Sequence, residues 1–150
     1  AKTGVQVKSI LADITTEGGR QAIFDACPNP DILINNNAGP PPGQLSDWNH
    51  DAWIQALEGN MLAPILLIRG YVTGMRERKF GRIVNITSAM VKTPRPHMAL
   101  STSARTGLTA FSKSLSFEVA ADNVTINNLL PERIDTPRQE FLARKQRKQH

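Results

Sequence analysis

"RIVNITSAMVKTPRPHMALSTSARTGLTAFSKSLSFEVAADNVTINNLL", Arg82 to Leu130, decides how this chain folds. A β-branched run, "RIVNIT" (Arg82–Thr87), leads through a proline-bearing loop, Ser88–His97, into a helical segment, "ALSTSARTGLTAFSKSLSFEVA" (Ala99–Ala120). A second β-branched run, "VTINNLL" (Val124–Leu130), follows. No tight turn joins the two runs, so they cannot pair as a hairpin. A helical crossover predicts parallel strands connected in the right-handed sense.

The same alternation extends toward the start of the chain. "DILI" (Asp31–Ile34) reads as a short, buried-type strand. From about Trp48 to Lys79, Trp53, Leu57, Met61 and Ile65 recur at helical spacing, with Gly59 and Pro64 marking a break or bend. "VQVKSILADI" (Val5–Ile14) is expected to be the first strand, and "TTEGGRQAIFDAC" a short helix capped by Thr15 or Thr16. Strands alternating with helices predict an α/β domain, a parallel sheet covered on both faces. Ligands of such sheets bind beyond the carboxyl ends of the strands, where this chain places the polar loops "NNNAG", "TSAM" and "PERIDT".

Composition narrows the classes. At 150 residues, with 40% hydrophobic and 21% charged residues, the chain is one ordinary globular domain, 1–150. Cys27 is its single cysteine, so no disulfide forms within it, and the longest apolar run, Met61–Ile68, is too short to span a bilayer. Both features point to a reducing, cytoplasmic setting without a membrane partner. The net charge of +5 is concentrated in 138–150, where Arg138, Arg144, Lys145, Arg147 and Lys148 outnumber Glu140. Within this helical or frayed tail the basic cluster Arg144–Lys148 interleaves no aromatic residues to stack bases, Phe141 lying before it, so no nucleic-acid partner is expected.

Ser88 ends a strand, and Ser101 and Arg105 lie one turn apart on one face of the helix after it. Together with the three polar loops, in this order, they resemble the short-chain dehydrogenase/reductase family. Its members carry an "NNAG" loop, a strand-end serine, a Tyr-x-x-x-Lys helix and a "PG-x-I-x-T" loop. The resemblance covers nearly the whole chain and implies a Rossmann-like doubly wound sheet. "NNAG" is matched literally at Asn36, Asn37, Ala38 and Gly39, while ungapped counting from Asp31 places it one residue earlier, which keeps Asn35 as an alternate. The resemblance implies that this loop lines the adenosine side of NAD or NADP, and that Asp13 of "ADIT" lies beside the adenine. It further implies that Asn60 holds a relay water at a helix bend, and that Pro131, Ile134 and Thr136 of "LLPERIDT" contact the cofactor. Glu132 stands where glycine is usual.

By the family's spacing, the tyrosine and lysine positions are occupied here by Ser101 and Arg105. A phenol with a pKa of about 10 is lowered by a neighbouring cation into a useful acid/base; an alcohol is less acidic and shorter by a ring. Arg105 stays cationic and can bond ribose hydroxyls, but lacks lysine's point-charge geometry. His97 is the nearest imidazole, the side-chain type suited to carrying a proton, and the single tyrosine, Tyr71, lies on a different helix. "LSTSAR" resembles a divergent, ketoacyl-carrier-protein-reductase-like branch of the family in which the tyrosine is missing.

No Thr-Gly-x-x-x-Gly-x-Gly turn occurs in the sequence. Against complete family members, the sheet is therefore expected to be incomplete, with the N-terminal cofactor half and the C-terminal end absent from this chain. The resemblance leads to two functions. One is an NAD- or NADP-dependent oxidoreductase acting on a small-molecule carbonyl or alcohol, 3-oxoacyl thioesters included, with Ser88 polarising the oxygen and Asn60, Ser101 and Arg105 as altered relay members. The other is a non-catalytic relative that binds a nucleotide or acts through assembly. A homodimer or homotetramer is implied, packed through the helices around Asn60–Lys79 and Ala99–Ala120, with Ala104, Gly107 and Ala110 permitting close approach.

Overall fold

The computed structural model describes residues 3–132 and 134, so Thr136 and the basic tail at 138–150 lie outside the described residues. The elements run α1 (Glu17–Ala26), β1 (Ile32–Asn35), α2 (His50–Leu57), α3 (Ala63–Glu77), β2 (Gly81–Ile86), α4 (Ala99–Val119) and β3 (Val124–Leu129). The strands form one parallel sheet in the order β1-β2-β3. Both crossovers are helical, as the alternation predicts.

Local chemistry places the ends. The Thr16 hydroxyl accepts from the Gly19 amide at 3.0 Å, capping α1, and donates to the Asp13 carbonyl at 2.9 Å. Gly19 is required there, because a Cβ would lie 1.8 Å from the Asp13 carbonyl oxygen. α2 and α3 form one helical rod interrupted by a π-turn at Glu58–Leu62, where the Ala63 amide reaches back to the Glu58 carbonyl. Gly59 lies in that turn, and Pro64 starts α3, where a missing N–H costs nothing. Asn123, in the left-handed region at φ 56°, ends the turn after α4 and feeds β3.

Ile68, Tyr71 and Met75 of α3, Ile83 of β2, Val119 of α4 and Val124 of β3 make the core, with Ile23 and Phe24 of α1 packed against it. Tyr71 meets Phe24 edge-on at 5.0 Å, and burial, with a smaller contribution from Cys27, pushes its phenol above the usual value. Tyr71 is thus a core residue. Arg76 Nε and Lys79 Nζ donate to the Asp122 carboxylate at 2.6 and 2.5 Å, tying α3 to the turn after α4.

Two expectations are corrected. Val5–Ile14 forms no strand: no strand pairs with it, and Val7 is 80% exposed. An extended segment without a neighbour has no ladder to satisfy its backbone. Second, the described helices cover one sheet face only; Ile32 and Ile34, on the other, are 58% and 62% exposed. Of the small residues expected at a subunit interface, Ala104 is fully buried within the chain, and a Cβ at Gly107 would strike Met61 Sδ. Ala110 is exposed. Among the described residues, no helix is long and apolar enough to cross a membrane.

Candidate active site

The carboxyl ends of the strands are joined by a ladder of asparagines. Asn35, Asn85 and Asn128 are in register on β1, β2 and β3. Asn35 Nδ2 donates to Asn85 Oδ1 at 2.8 Å, and Asn85 Nδ2 donates to Ser112 Oγ at 3.0 Å and to Asn128 Oδ1 at 3.1 Å. Asn85 has no exposed surface, so its amide needs these partners. Beyond the ladder, Thr87 donates from both its amide and its hydroxyl to the Leu129 carbonyl, at 2.8 and 3.0 Å, and the Ala89 amide donates to the Pro131 carbonyl at 3.0 Å. These bonds hold the loop of Ser88 against the loop of Pro131.

Ser88 is half-buried and caps a short 3-10 turn, its Oγ accepting from the Met90 amide at 3.2 Å. Its hydroxyl hydrogen can still be donated. Ser101, 6% exposed, accepts at 3.1 Å from Arg105 Nε, and Arg105 is itself only 9% exposed. The guanidinium is compensated by backbone: Nη1 donates to the Ile86 carbonyl at 2.7 Å and the Thr87 carbonyl at 3.2 Å, and Nη2 to the Asn37 carbonyl at 3.2 Å. Asn37 also donates its side-chain amide to the Gly59 carbonyl in the π-turn. Asn60, in the same turn, is 4% exposed, and its Oδ1 has no hydrogen-bond partner among the described residues.

The structure therefore gathers Asn37, Ser101 and Arg105 around the end of β2, the strand that runs into Ser88, and places Asn60 beside the Asn37 contact. Asn35 belongs to the sheet ladder. Asn36 and Ala38 are exposed and Gly39 is half-buried. Pro131 touches the group through its carbonyl; Ile134 is exposed. Asp13 is exposed at the entry to α1, where the Thr15 hydroxyl and amide donate to Oδ1 and hold the carboxyl below its ordinary value. No bond joins it to the Ser88–Arg105 group. His97 is exposed, and its carbonyl accepts from the Gly43 amide at 3.0 Å; no bond joins its imidazole to Ser101. Sequence reading missed Asn85, Asn128 and Ser112. A polar amide recurring inside three apolar strands, "ILIN", "IVN" and "INN", is the signal that marks the ladder.

A parallel sheet whose carboxyl-end loops converge on buried hydroxyls and a guanidinium defines an α/β, incomplete Rossmann-like domain of the ligand-binding class. The chain belongs to the short chain dehydrogenase family, whose model matches residues 1–147. It is 34% identical over 119 residues to the uncharacterized oxidoreductase YvaG of Bacillus subtilis (strain 168), covering 79% of this chain and 45% of that protein. It is 28% identical over 151 residues to the 3-oxoacyl-(acyl-carrier-protein) reductase FabG of Haemophilus influenzae, covering 98% of this chain and 62% of that one. Among solved structures, L-sorbose reductase from Gluconobacter frateurii, determined with NADPH and L-sorbose, superposes with a TM-score of 0.89 at 29% identity, covering 98% of this chain and 57% of that chain. The chain thus spans 45% to 62% of the length of these relatives.

Proposed function

We propose that this chain is the catalytic part of a nicotinamide-dependent oxidoreductase acting on a carbonyl or alcohol, 3-oxoacyl thioesters being the first substrates to test. The observation that carries this reading is the convergence of Ser88, Ser101, Arg105 and the Asn37 loop at the carboxyl end of β2. The residues fit the nicotinamide end of NAD or NADP: hydroxyls and backbone groups from the three loops suit a carboxamide and ribose hydroxyls, and the unpartnered Asn60 Oδ1 is a buried acceptor for a water or ligand donor. The candidate cofactor set is Asn35, Asn36, Asn37, Ala38, Gly39, Pro131, Ile134 and Thr136, with Asp13 on the adenine side. No glycine-rich turn for a pyrophosphate occurs in the sequence, so no residue is assigned to it.

When bound, the cofactor supplies or accepts hydride. Ser88 donates its hydroxyl hydrogen to the carbonyl oxygen and polarises it. Ser101 stands in the place of the family's phenol, and the Arg105 Nε–H on its oxygen favours loss of the serine proton. An aliphatic hydroxyl remains a far weaker acid than a phenol, so turnover on ordinary carbonyls is slow. The working unit is a cytoplasmic homodimer or homotetramer, with residues 1–150 forming one partial domain that ends in the basic sequence 138–150.

A specific observation favours the second reading, a relative that binds the nucleotide without reducing anything. Arg105, in the lysine position, directs its N–H groups at the Ile86, Thr87 and Asn37 carbonyls. The absorbance of NADH and NADPH, monitored with a panel of 3-oxoacyl thioesters, ketoses and aldehydes, separates the two. Substrate-dependent oxidation supports the enzyme. Binding of either dinucleotide without oxidation supports the second reading.

A further inference from the structure

We propose that Arg105 and Asn37 are a matched brace, positioning residues that fix the distance between the loop after β1 and the end of β2, and that one additional loop residue is what lets an arginine close that gap. Asn35 cannot slide, because it is in register with Asn85 and donates to its side chain at 2.8 Å. The literal "NNAG" begins only after this anchored residue, so the loop carries one residue more than a motif running directly out of the strand. That extra residue sets the Asn37 carbonyl against Arg105 Nη2 at 3.2 Å, while the Asn37 side chain holds the Gly59 carbonyl.

The planar guanidinium spans two segments at once: Nη1 serves Ile86 and Thr87 on one side, and Nη2 serves Asn37 on the other. An ammonium group presents its donors from a single point and cannot bridge the same carbonyls. Removing one residue moves the Asn37 carbonyl by up to about 3.8 Å, the spacing of consecutive Cα atoms, which breaks the bond. Loop length and the identity of the cation are therefore coupled. The positioning role rests on the proposed dinucleotide site; the coupling itself does not.

The test uses the full protein in four forms: unaltered, Arg105→Lys, deletion of Asn36, and both changes together. Dissociation constants for NADH and NADPH are measured at a temperature where every form is folded, and urea midpoints are measured alongside. Each single change is expected to weaken dinucleotide binding about tenfold, the scale of one charge-assisted hydrogen bond. The combination removes the same contact twice and is expected to lose no more than about tenfold, the loss of either single change. Losses that multiply overturn the brace. If no form binds either dinucleotide, the functional reading fails, and the urea midpoints decide alone: non-additive shifts support the coupling and additive shifts overturn it. Should the deletion not fold, insertion of one glycine after Asn36, which displaces the same main-chain carbonyl, replaces it in a cycle with Arg105→Lys. A combined effect smaller than the sum is expected there, and strict additivity overturns the proposal.

Discussion

Replacing Asn85 with leucine, which keeps the branching of the side chain but is bulkier, removes every polar atom that this residue gives the ladder. The variant removes the acceptor of Asn35 Nδ2 and the donors to Ser112 Oγ and Asn128 Oδ1. These losses are unequal. Ser112 still donates to the Leu108 carbonyl at 2.7 Å, and Asn128 is partly exposed, so water replaces its lost donor. Asn35 is buried and its amide finds no other acceptor, at a cost of about 1–3 kcal/mol. With a smaller loss from the two weakened contacts, Asn85→Leu should destabilise the full protein by about 2–4 kcal/mol. Urea unfolding monitored by circular dichroism measures this directly. Asn35→Leu added to Asn85→Leu removes the orphaned donor, so the double variant should recover at least about 1 kcal/mol relative to the sum of the single ones. A loss below about 0.5 kcal/mol for Asn85→Leu alone would refute the claim that the ladder stabilises the strand ends.

Other outcomes are expected elsewhere. Ser101→Tyr, combined with Arg105→Lys and deletion of Asn36, should raise carbonyl reduction by up to about 10²–10⁴-fold; a dinucleotide-bound variant no faster than the parent would show that the missing phenol is not what limits turnover. Gly19→Ala should destabilise α1 by about 1–3 kcal/mol, because the new Cβ meets backbone and not a movable side chain; an unchanged melting temperature would contradict the geometry. The Asp122 carboxyl is held below its ordinary 3.8, first by the Lys79 and then by the Arg76 hydrogen bond. Its stabilising effect is complete above 3.8 and lost as pH falls through the lowered folded value, so Asp122→Asn should flatten stability against pH in that acid window while leaving the neutral-to-basic slope unchanged.

Where sequence and structure agree, periodicity and punctuation explain it. Gly59 and Pro64 bracket the break between α2 and α3, Thr16 caps α1, and the β-branched runs at Arg82 and Val124 are strands in register. Val5–Ile14 has the same local pattern but no strand beside it among the described residues, and pairing is a property of the sheet, not of the segment. The site shows the same division. Counting placed Ser101 and Arg105 on one face, yet ribose hydroxyls were the partners expected for the guanidinium; its partners in the folded chain include the Ile86, Thr87 and Asn37 carbonyls and Ser101 Oγ. Three of these are main-chain atoms, which side-chain identity does not locate. The alignment of Asn35 is open by one residue in sequence; in the folded chain Asn35 ends β1 and pairs with Asn85.

The π-turn between α2 and α3 has a consequence for how the molecule opens. Each extra residue in a helix rotates the succeeding turns by about 100°, so the two helices direct their apolar faces differently. α2 lies against α4, whereas α3 delivers Ile68, Tyr71 and Met75 to the core beside the sheet. The continuous rod is thus shared between two packing partners. In amide hydrogen exchange, protection along α2 should track that of α4, protection along α3 should track the strands, and the boundary should fall at Glu58–Leu62.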